Sequence, residues 1–370
     1  DRRVSDGSLL AVDGLPVARF AAATSGLVYA HLVIDVPALE YELLDLFALF
    51  CECVADVGVG DRDYLQTAAW HASVTGGVGA RHSVRSDISD SQEARVSFIL
   101  SGKALNRNAG ALAEILVTTL DAARFDELPR LRELVSQLRA HQESAITGHG
   151  HGLAMVAAGA GISPSAALAH RWDGLEAIRQ LKQLDDALAS DEALQALADK
   201  LKSIRKLLAT GGRQLLLVAE QNELDDFQNA FTEHFNARSG LSVDRSLRAF
   251  KPSMIPVKVA QGWLTSTQVN FCARAYAAVP ADHADAPAFT VLGGYLRNSF
   301  LHTAIREQGG AYGGGASYDS DAGAFRFYSY RDPRLEATLD DFDASLRWLL
   351  DEQDDHEPRL LEEAILGVIS

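Results

Sequence analysis

"LHTAIREQGGAYGGGASYDSDAGAFRFYSYRDP", residues Leu301 to Pro333, is the stretch on which the reading of this chain turns. Five of the seven residues from Gly309 to Gly315 are glycine, Tyr312 stands among them, and the charged pair Arg306-Glu307 comes just before. Glycine costs conformational entropy in any ordered element, so such a cluster marks tight turning or close approach by another backbone. Phosphate cradle, hairpin connection and part of an active site are the three readings to separate.

The phosphate cradle fails first. A Walker loop needs Lys-Ser or Lys-Thr after its last glycine, whereas Gly315 is followed by Ala316 and Ser317. A dinucleotide fingerprint needs a strand before and a helix after, and here the order is helix then strand. The helix runs from Pro287, a good first-turn proline, towards Leu301. The strand is the first arm of a hairpin, "YGGGASYDSD" with "GAFRFYSY", turning near Asp321 to Gly323.

Outward from that stretch, the second half of the chain opens with the strand "RQLLLVAE" (213–220) and a helix carrying Phe227, Phe231 and Phe235 at i, i+4, i+8. "STQVNFCARAYAAV" (266–279) reads as a strand, and a helix after Pro333 carries Leu335, Leu339, Phe342, Leu346 and Leu349. The first half offers strands at 26–36, 78–87 and 93–102, with helices at 40–58, 64–73, 105–125, 128–146, 163–170, 175–184 and 190–210. Gly211-Gly212 is a good helix stop, and it sets the expected boundary between a domain of residues 1–211 and one of 212–370. A chain of 370 residues is too long for one typical core. The expected fold is α+β: two related domains, each a mostly antiparallel sheet with helices packed on it.

The net charge of −16, from 34 basic and 50 acidic residues, disfavours a nucleic-acid groove, which needs a basic surface. It is compatible with basic peptide ligands, although acidic surfaces more often serve solubility. No stretch reaches the ~18 apolar residues of a membrane span, and "DRRVSDGSLL" is no signal peptide. Cys51, Cys53 and Cys272 make no disulfide framework and read as buried, inert thiols in a reducing compartment. The chain lacks an initiator Met and stops within the apolar helical run "LLEEAILGVIS", as a fragment truncated at its C-terminus would.

Metal binding has little support. His149-Gly-His151, read as a loop at a helix start, has no nearby carboxylate or third ligand, and His356-Glu357 lacks a second histidine on its helical face. No Ser/His/Asp set shows a nucleophile elbow. Arg306 and Tyr312 remain. The bland reading pairs Arg306 with a neighbouring carboxylate and lets Tyr312 cap the sheet. The functional one has a strand-start hydroxyl and a helix-end guanidinium aiming two donors at one anionic oxygen. Gly309, Gly310 and Gly313 would let a substrate backbone come close.

At these residues the sequence resembles the pitrilysin/insulinase family of zinc metallopeptidases, in its presequence-protease branch. The resemblance rests on the Leu301–Pro333 stretch and extends through "AITGHGHGLAMVAAGAGISP", "YLQTAAWHASVTGGVGARHSV" and "EEAILGVIS". It implies a polypeptide of four related α/β domains in two halves, closing like a clamshell around a peptide chamber. In that family the N-terminal half carries His-x-x-Glu-His and a distal glutamate as zinc ligands, and the glutamate within the motif is the general base. This chain has no such motif and resembles the third and fourth domains only. The resemblance makes it a zinc-lacking C-terminal half, partnered by the N-terminal half of the same polypeptide and by unstructured peptide substrates. It further implies that Arg306 and Tyr312 reach across to the zinc site, in a bacterial cytoplasm or an organelle matrix, with neither nucleic acid nor membrane as partner. The rival reading is a non-catalytic binding or scaffolding subunit of the same fold.

Overall fold

The computed structural model describes residues 8–12, 15–244, 246–351 and 358–369. In chain order the strands are β1 (Ser8–Val12), β2 (Leu15–Ala21), β3 (Leu27–Asp35), β4 (Val78–Ser86), β5 (Ala94–Leu105), β6 (Arg213–Ala219), β7 (Ala273–Ala277), β8 (Gly313–Asp319) and β9 (Ala324–Tyr330). The helices are α1 (Tyr41–Asp45), α2 (Phe47–Cys53), α3 (Tyr64–Val74), α4 (Ala109–Ala122), α5 (Leu128–Gly159), α6 (Pro164–Trp172), α7 (Leu175–Ala187), α8 (Asp191–Thr210), α9 (Leu224–Asn236), α10 (Ala286–Asn298), α11 (Glu336–Leu349) and α12 (Pro358–Ile369). A π-helical turn, His302–Gln308, follows α10. The architecture is the expected α+β, with a sheet and packed helices in each of two compact units.

The first unit comprises residues 1–83, 95–138 and 183–251. Its sheet has the order β1-β2-β6-β3-β5-β4. β1 with β2, β3 with β5 and β3 with β6 pair antiparallel, whereas β2 runs parallel to β6. Alternation along β3 buries Val28, Ala30, Leu32 and Ile34, while Phe47 and Phe50 of α2 are buried with Phe98 of β5. Helix α8 buries Leu194, Leu197, Leu201, Ile204 and Leu208, one stripe at helical spacing. The expected boundary at Gly211-Gly212 falls between α8 and β6, and both belong to this unit. The glycines stop the helix and turn the chain into the sheet, where β6 buries Leu215, Leu217 and Ala219 between β2 and β3. The helix expected over 40–58 breaks at Leu46 into α1 and α2. Two strands, β1 and β2, come in addition to those expected.

The second unit comprises residues 84–94, 139–182 and 252–370. Its sheet, β7-β9-β8, is antiparallel throughout. Phe325 and Phe327 of β9 join Leu296, Leu301, Ile305 and Phe342 in one buried cluster. The opposite face of β9 presents Tyr328 and Tyr330, as period-two alternation requires. The hairpin turns where expected, with Gly323 at φ +60°. Its tip is held by hydroxyls: Ser163 Oγ donates to the Ala322 carbonyl at 2.8 Å and Ser165 Oγ to that of Asp321 at 2.7 Å. The strand expected over 266–279 shortens to β7.

Candidate functional site

The site is built where α10 ends. Leu301, Ala304 and Ile305 turn into the core, which leaves His302, Thr303, Arg306, Glu307 and Gln308 outward. The turn widens to a π-helix, a form that recurs at functional sites. Its end is closed by a left-handed glycine: Gly310 has φ +75°, its N–H donates to the Arg306 carbonyl at 3.2 Å, and the Ala311 N–H donates to the Ile305 carbonyl at 3.1 Å. The sequence placed Arg306 at a helix end correctly, but nothing in its periodicity distinguished the π turn.

The glycines have their own neighbours. A Cβ on Gly309 would overlap the Arg334 guanidinium, and one on Gly313 would lie 2.6 Å from the Tyr330 ring. On Gly315 it would meet the Arg297 stem at 2.9 Å and the Tyr328 hydroxyl at 3.0 Å. The close approaches at Gly309 and Gly313, both buried, are therefore made by side chains of this chain, while Gly310 is exposed.

Arg306 is exposed, and among the described residues no side-chain hydrogen bond or ion pair engages it. The nearby carboxylate that the bland reading would assign it, Glu307, lies instead 3.5 Å from His302 Nδ1. Tyr312 is 63% exposed, and its hydroxyl likewise has no partner among the described residues. Its ring is held from beside and behind: Tyr330 lies 5.5 Å away, tilted by 55°, and Arg331 places its guanidinium carbon 5.8 Å from the ring centroid. The Tyr312 N–H donates to the carbonyl of Arg331, itself at φ +51°. A positive φ at a residue with a side chain is sustained only by surrounding contacts.

Sequence reasoning missed the footing under this surface. Asp332 is wholly buried and accepts from Thr338 Oγ1 at 2.8 Å and from the Arg334 N–H at 2.9 Å. Arg334 in turn donates to Asp341 at 2.9 Å and to the Ala304 carbonyl at 3.3 Å. A buried carboxylate persists only when so bonded. The one signal was the "RDPR" run (331–334), too short to be told from an ordinary loop.

His149 and His151 also take a different place from the one expected. They lie inside α5 and not in a loop, because the helix runs to Gly159 with a kink at His149 (φ −130°, ψ 21°). The kink brings the His151 ring to 5.1 Å from Tyr330 and 5.6 Å from Tyr328. Burial, then the neighbouring His149, holds the His151 imidazole below its ordinary pKa. Among the described residues no group of three or more His, Cys, Asp or Glu side chains could hold a metal ion. His356 and Glu357 lie outside the described residues. The three cysteines are buried and free, and burial pushes the Cys53 thiol up to about 12. Among the described residues no helix is long and apolar enough to cross a membrane.

Comparison with known proteins adds the family. The family of domains associated with M16 peptidases of subfamily C matches residues 2–184, and that described as PreP C-terminal domain matches residues 262–370. Presequence protease 1, chloroplastic/mitochondrial, of Arabidopsis thaliana is 27% identical over 364 residues, covering 97% of this chain and 32% of its own length. The mitochondrial presequence protease of Yarrowia lipolytica is 29% identical over 338 residues, covering 90% of this chain and 33% of its own. The chain thus spans about a third of the length of these curated relatives. Among solved structures, a conserved protein from Enterococcus faecalis V583 aligns over 97% of this chain and 83% of its own, with TM-score 0.64 and 12% identity. The peptidase M16 inactive domain from Pseudomonas fluorescens aligns over 98% and 88%, with TM-score 0.54 and 15% identity, a likeness of fold alone. With two family matches in succession and whole-chain similarity to presequence proteases, the chain belongs to the pitrilysin-type peptidase family and corresponds to the C-terminal half of its presequence-protease branch.

Proposed function

We propose that this chain is the zinc-lacking half of a zinc endopeptidase that degrades unstructured peptides, and that it closes the peptide chamber and presents Arg306 and Tyr312 to the reacting peptide. The observation that carries the reading is the pair of unengaged donors on a well-held turn: an exposed guanidinium and a 63% exposed phenol, neither with a partner among the described residues. Attack on a peptide carbonyl builds negative charge on its oxygen. Donors already aimed at that oxygen stabilise it without reorganising when the charge develops. Tyr312 donates one hydrogen bond without adding a formal charge, and Arg306 holds a carbonyl or oxyanion through a planar fork. Gly310 offers exposed backbone to the substrate, while Gly309 and Gly313 act by admitting Arg334 and Tyr330, which keep the turn in place.

The described residues do not fit a zinc ion, so the metal, its ligands and the general base are assigned to the N-terminal half of the same polypeptide. Peptides in extended form are the proposed substrates, and an organelle matrix or a bacterial cytoplasm the proposed compartment. A second reading, a binding subunit without catalysis, draws on the Pseudomonas fluorescens neighbour, an inactive domain of the same fold.

Activity of the separate parts tests the proposal. The full-length protein should cleave an unstructured peptide, whereas the 370-residue chain alone should neither cleave it nor retain zinc after dialysis. About one tightly held zinc per chain would sink the assignment and bring His149 and His151 back into contention. Binding without cleavage by the full-length protein would favour the second reading.

A further inference from the structure

The two sheets repeat one pattern up to a point, and the point at which the repeat stops is informative. In the first unit β3, β5 and β4 are neighbours in that order, a leading strand followed by the two arms of a later hairpin. In the second unit β7, β9 and β8 are neighbours in the same order, again with helices between the leading strand and the hairpin. On the far side of β3 the first sheet continues. β2 and β3 are consecutive in the chain yet do not pair, because β6 arrives after α8 and lies between them, antiparallel to β3 and parallel to β2.

The second unit has both walls of the corresponding slot. β7 hydrogen-bonds to β9 on one side and to no described strand on the other. The run before it, in the place of β2, forms no strand, and among the described residues no backbone–backbone hydrogen bond engages residues 258–266. Between the two lies a groove of about 1030 Å³, walled by residues 257–265 on one side and 273–277 on the other. Gly150, Leu153, Ala154 and Ala157 of α5 line it as well. Its lining includes large apolar side chains left open to solvent, Val257, Leu264 and Leu335. An edge strand with free donors and acceptors beside an apolar trough is a template for one more strand.

We propose that this groove seats a β-strand of the same polypeptide that follows α12 as β6 follows α8, antiparallel to β7, with alternate apolar side chains turned onto α5. The choice of occupant rests on the first unit, where a strand of the same chain, arriving after a helix, fills the equivalent slot. It rests also on the relatives, which are about three times as long as this chain. A strand so placed would join the two walls into one continuous sheet, as β6 joins β2 to β3.

Amide hydrogen exchange tests it, comparing the full-length polypeptide with the 370-residue chain. In the full-length protein, alternate amides of 273–277 and amides of 258–265 should exchange at least about tenfold more slowly than in the shorter chain. A synthetic peptide of the residues encoded directly after Ser370, added to the shorter chain, should restore that protection, and a scrambled peptide should not. Equal exchange in the two proteins overturns the proposal, as does a reading frame that stops at Ser370. Protection that grows with the concentration of the shorter chain alone overturns it too, since the occupant would then be a second copy.

Discussion

Arg306 and Arg334 flank one turn and differ in almost everything but charge. Arg334 is spent on structure: it donates to Asp341 and to the Ala304 carbonyl, lies against Gly309, and shares its loop with the buried Asp332. Arg306 is exposed and holds no described side chain. The same contrast separates the tyrosines, since the Tyr330 ring fills the space over Gly313 while Tyr312 leans on Tyr330 and keeps its hydroxyl open. Residues that hold the turn are bonded out of reach, and residues available to a substrate are left without partners. A mutation should therefore change either stability or turnover, seldom both.

The largest effect expected is on the structural side. Asp332→Ala leaves Thr338 and Arg334 without their buried acceptor and should cost about 3 to 5 kcal/mol in denaturant unfolding, with kcat of the folded fraction unchanged. A large loss of kcat at unaltered stability would put Asp332 in the chemistry and erase the contrast. Next comes Tyr312→Phe in the full-length protein, expected to lose about 10²–10³ in kcat, as removal of an oxyanion donor does. Its stability should stay within about 0.5 kcal/mol, because the ring still packs on Tyr330. Wild-type turnover in this variant, with zinc content and folding intact, would make the glycine-rich stretch a hairpin connection and no more.

Gly310→Ala sits between the two classes. A Cβ at φ +75° costs about 1 to 2 kcal/mol, which thermal unfolding should register. If the turn positions Arg306, kcat should fall in this variant as well. Arg306→Lys keeps the charge and removes the fork, and should lower kcat/KM by roughly tenfold, the worth of one charge-assisted hydrogen bond. Unfolding should be unaffected, since Arg306 has no structural partner to lose.

The smallest effect expected is a pH dependence. Burial, the leading cause in each case, holds His31, His71, His151 and His170 below the ordinary value of 6.5. The unfolded chain then binds more protons than the folded one between that value and the lowered ones. Stability should accordingly fall as pH drops below about 6.5 and level off once the folded histidines also protonate. Unfolding midpoints across a range of roughly pH 5 to 8 would register the slope, and His151→Gln should make it shallower. An unchanged slope would show that His151 contributes nothing to it.

Much of this was legible in the residues themselves. The helix stop at Gly211-Gly212, the turn at Asp321 to Gly323 and the phenylalanine stripe of α9 are local events, set by backbone freedom and by helical spacing, and short windows of sequence carry them. β1 and β2 escape such windows because their pairing partners lie far away or outside any local period: β2 is held by β6, some two hundred residues later. The kink in α5 escapes for a related reason. "TGHGHG" has the composition of a loop, and the rest of the structure keeps it helical.

By itself the sequence determined the element types over most of the chain, the glycine turn, and the singling out of Arg306 and Tyr312, because each rests on residues close together along the backbone. Tertiary structure alone decided which charged and aromatic groups are used up. Whether an arginine is free depends on what Thr338, Asp341 and the Ala304 carbonyl bring within 3.3 Å of its neighbours. It likewise decided that β6 lies between β2 and β3, and that β7 pairs on one side with β9 and on the other faces a groove. Strand order is a contest among distant hydrogen-bonding edges, and no local period along the chain records its outcome.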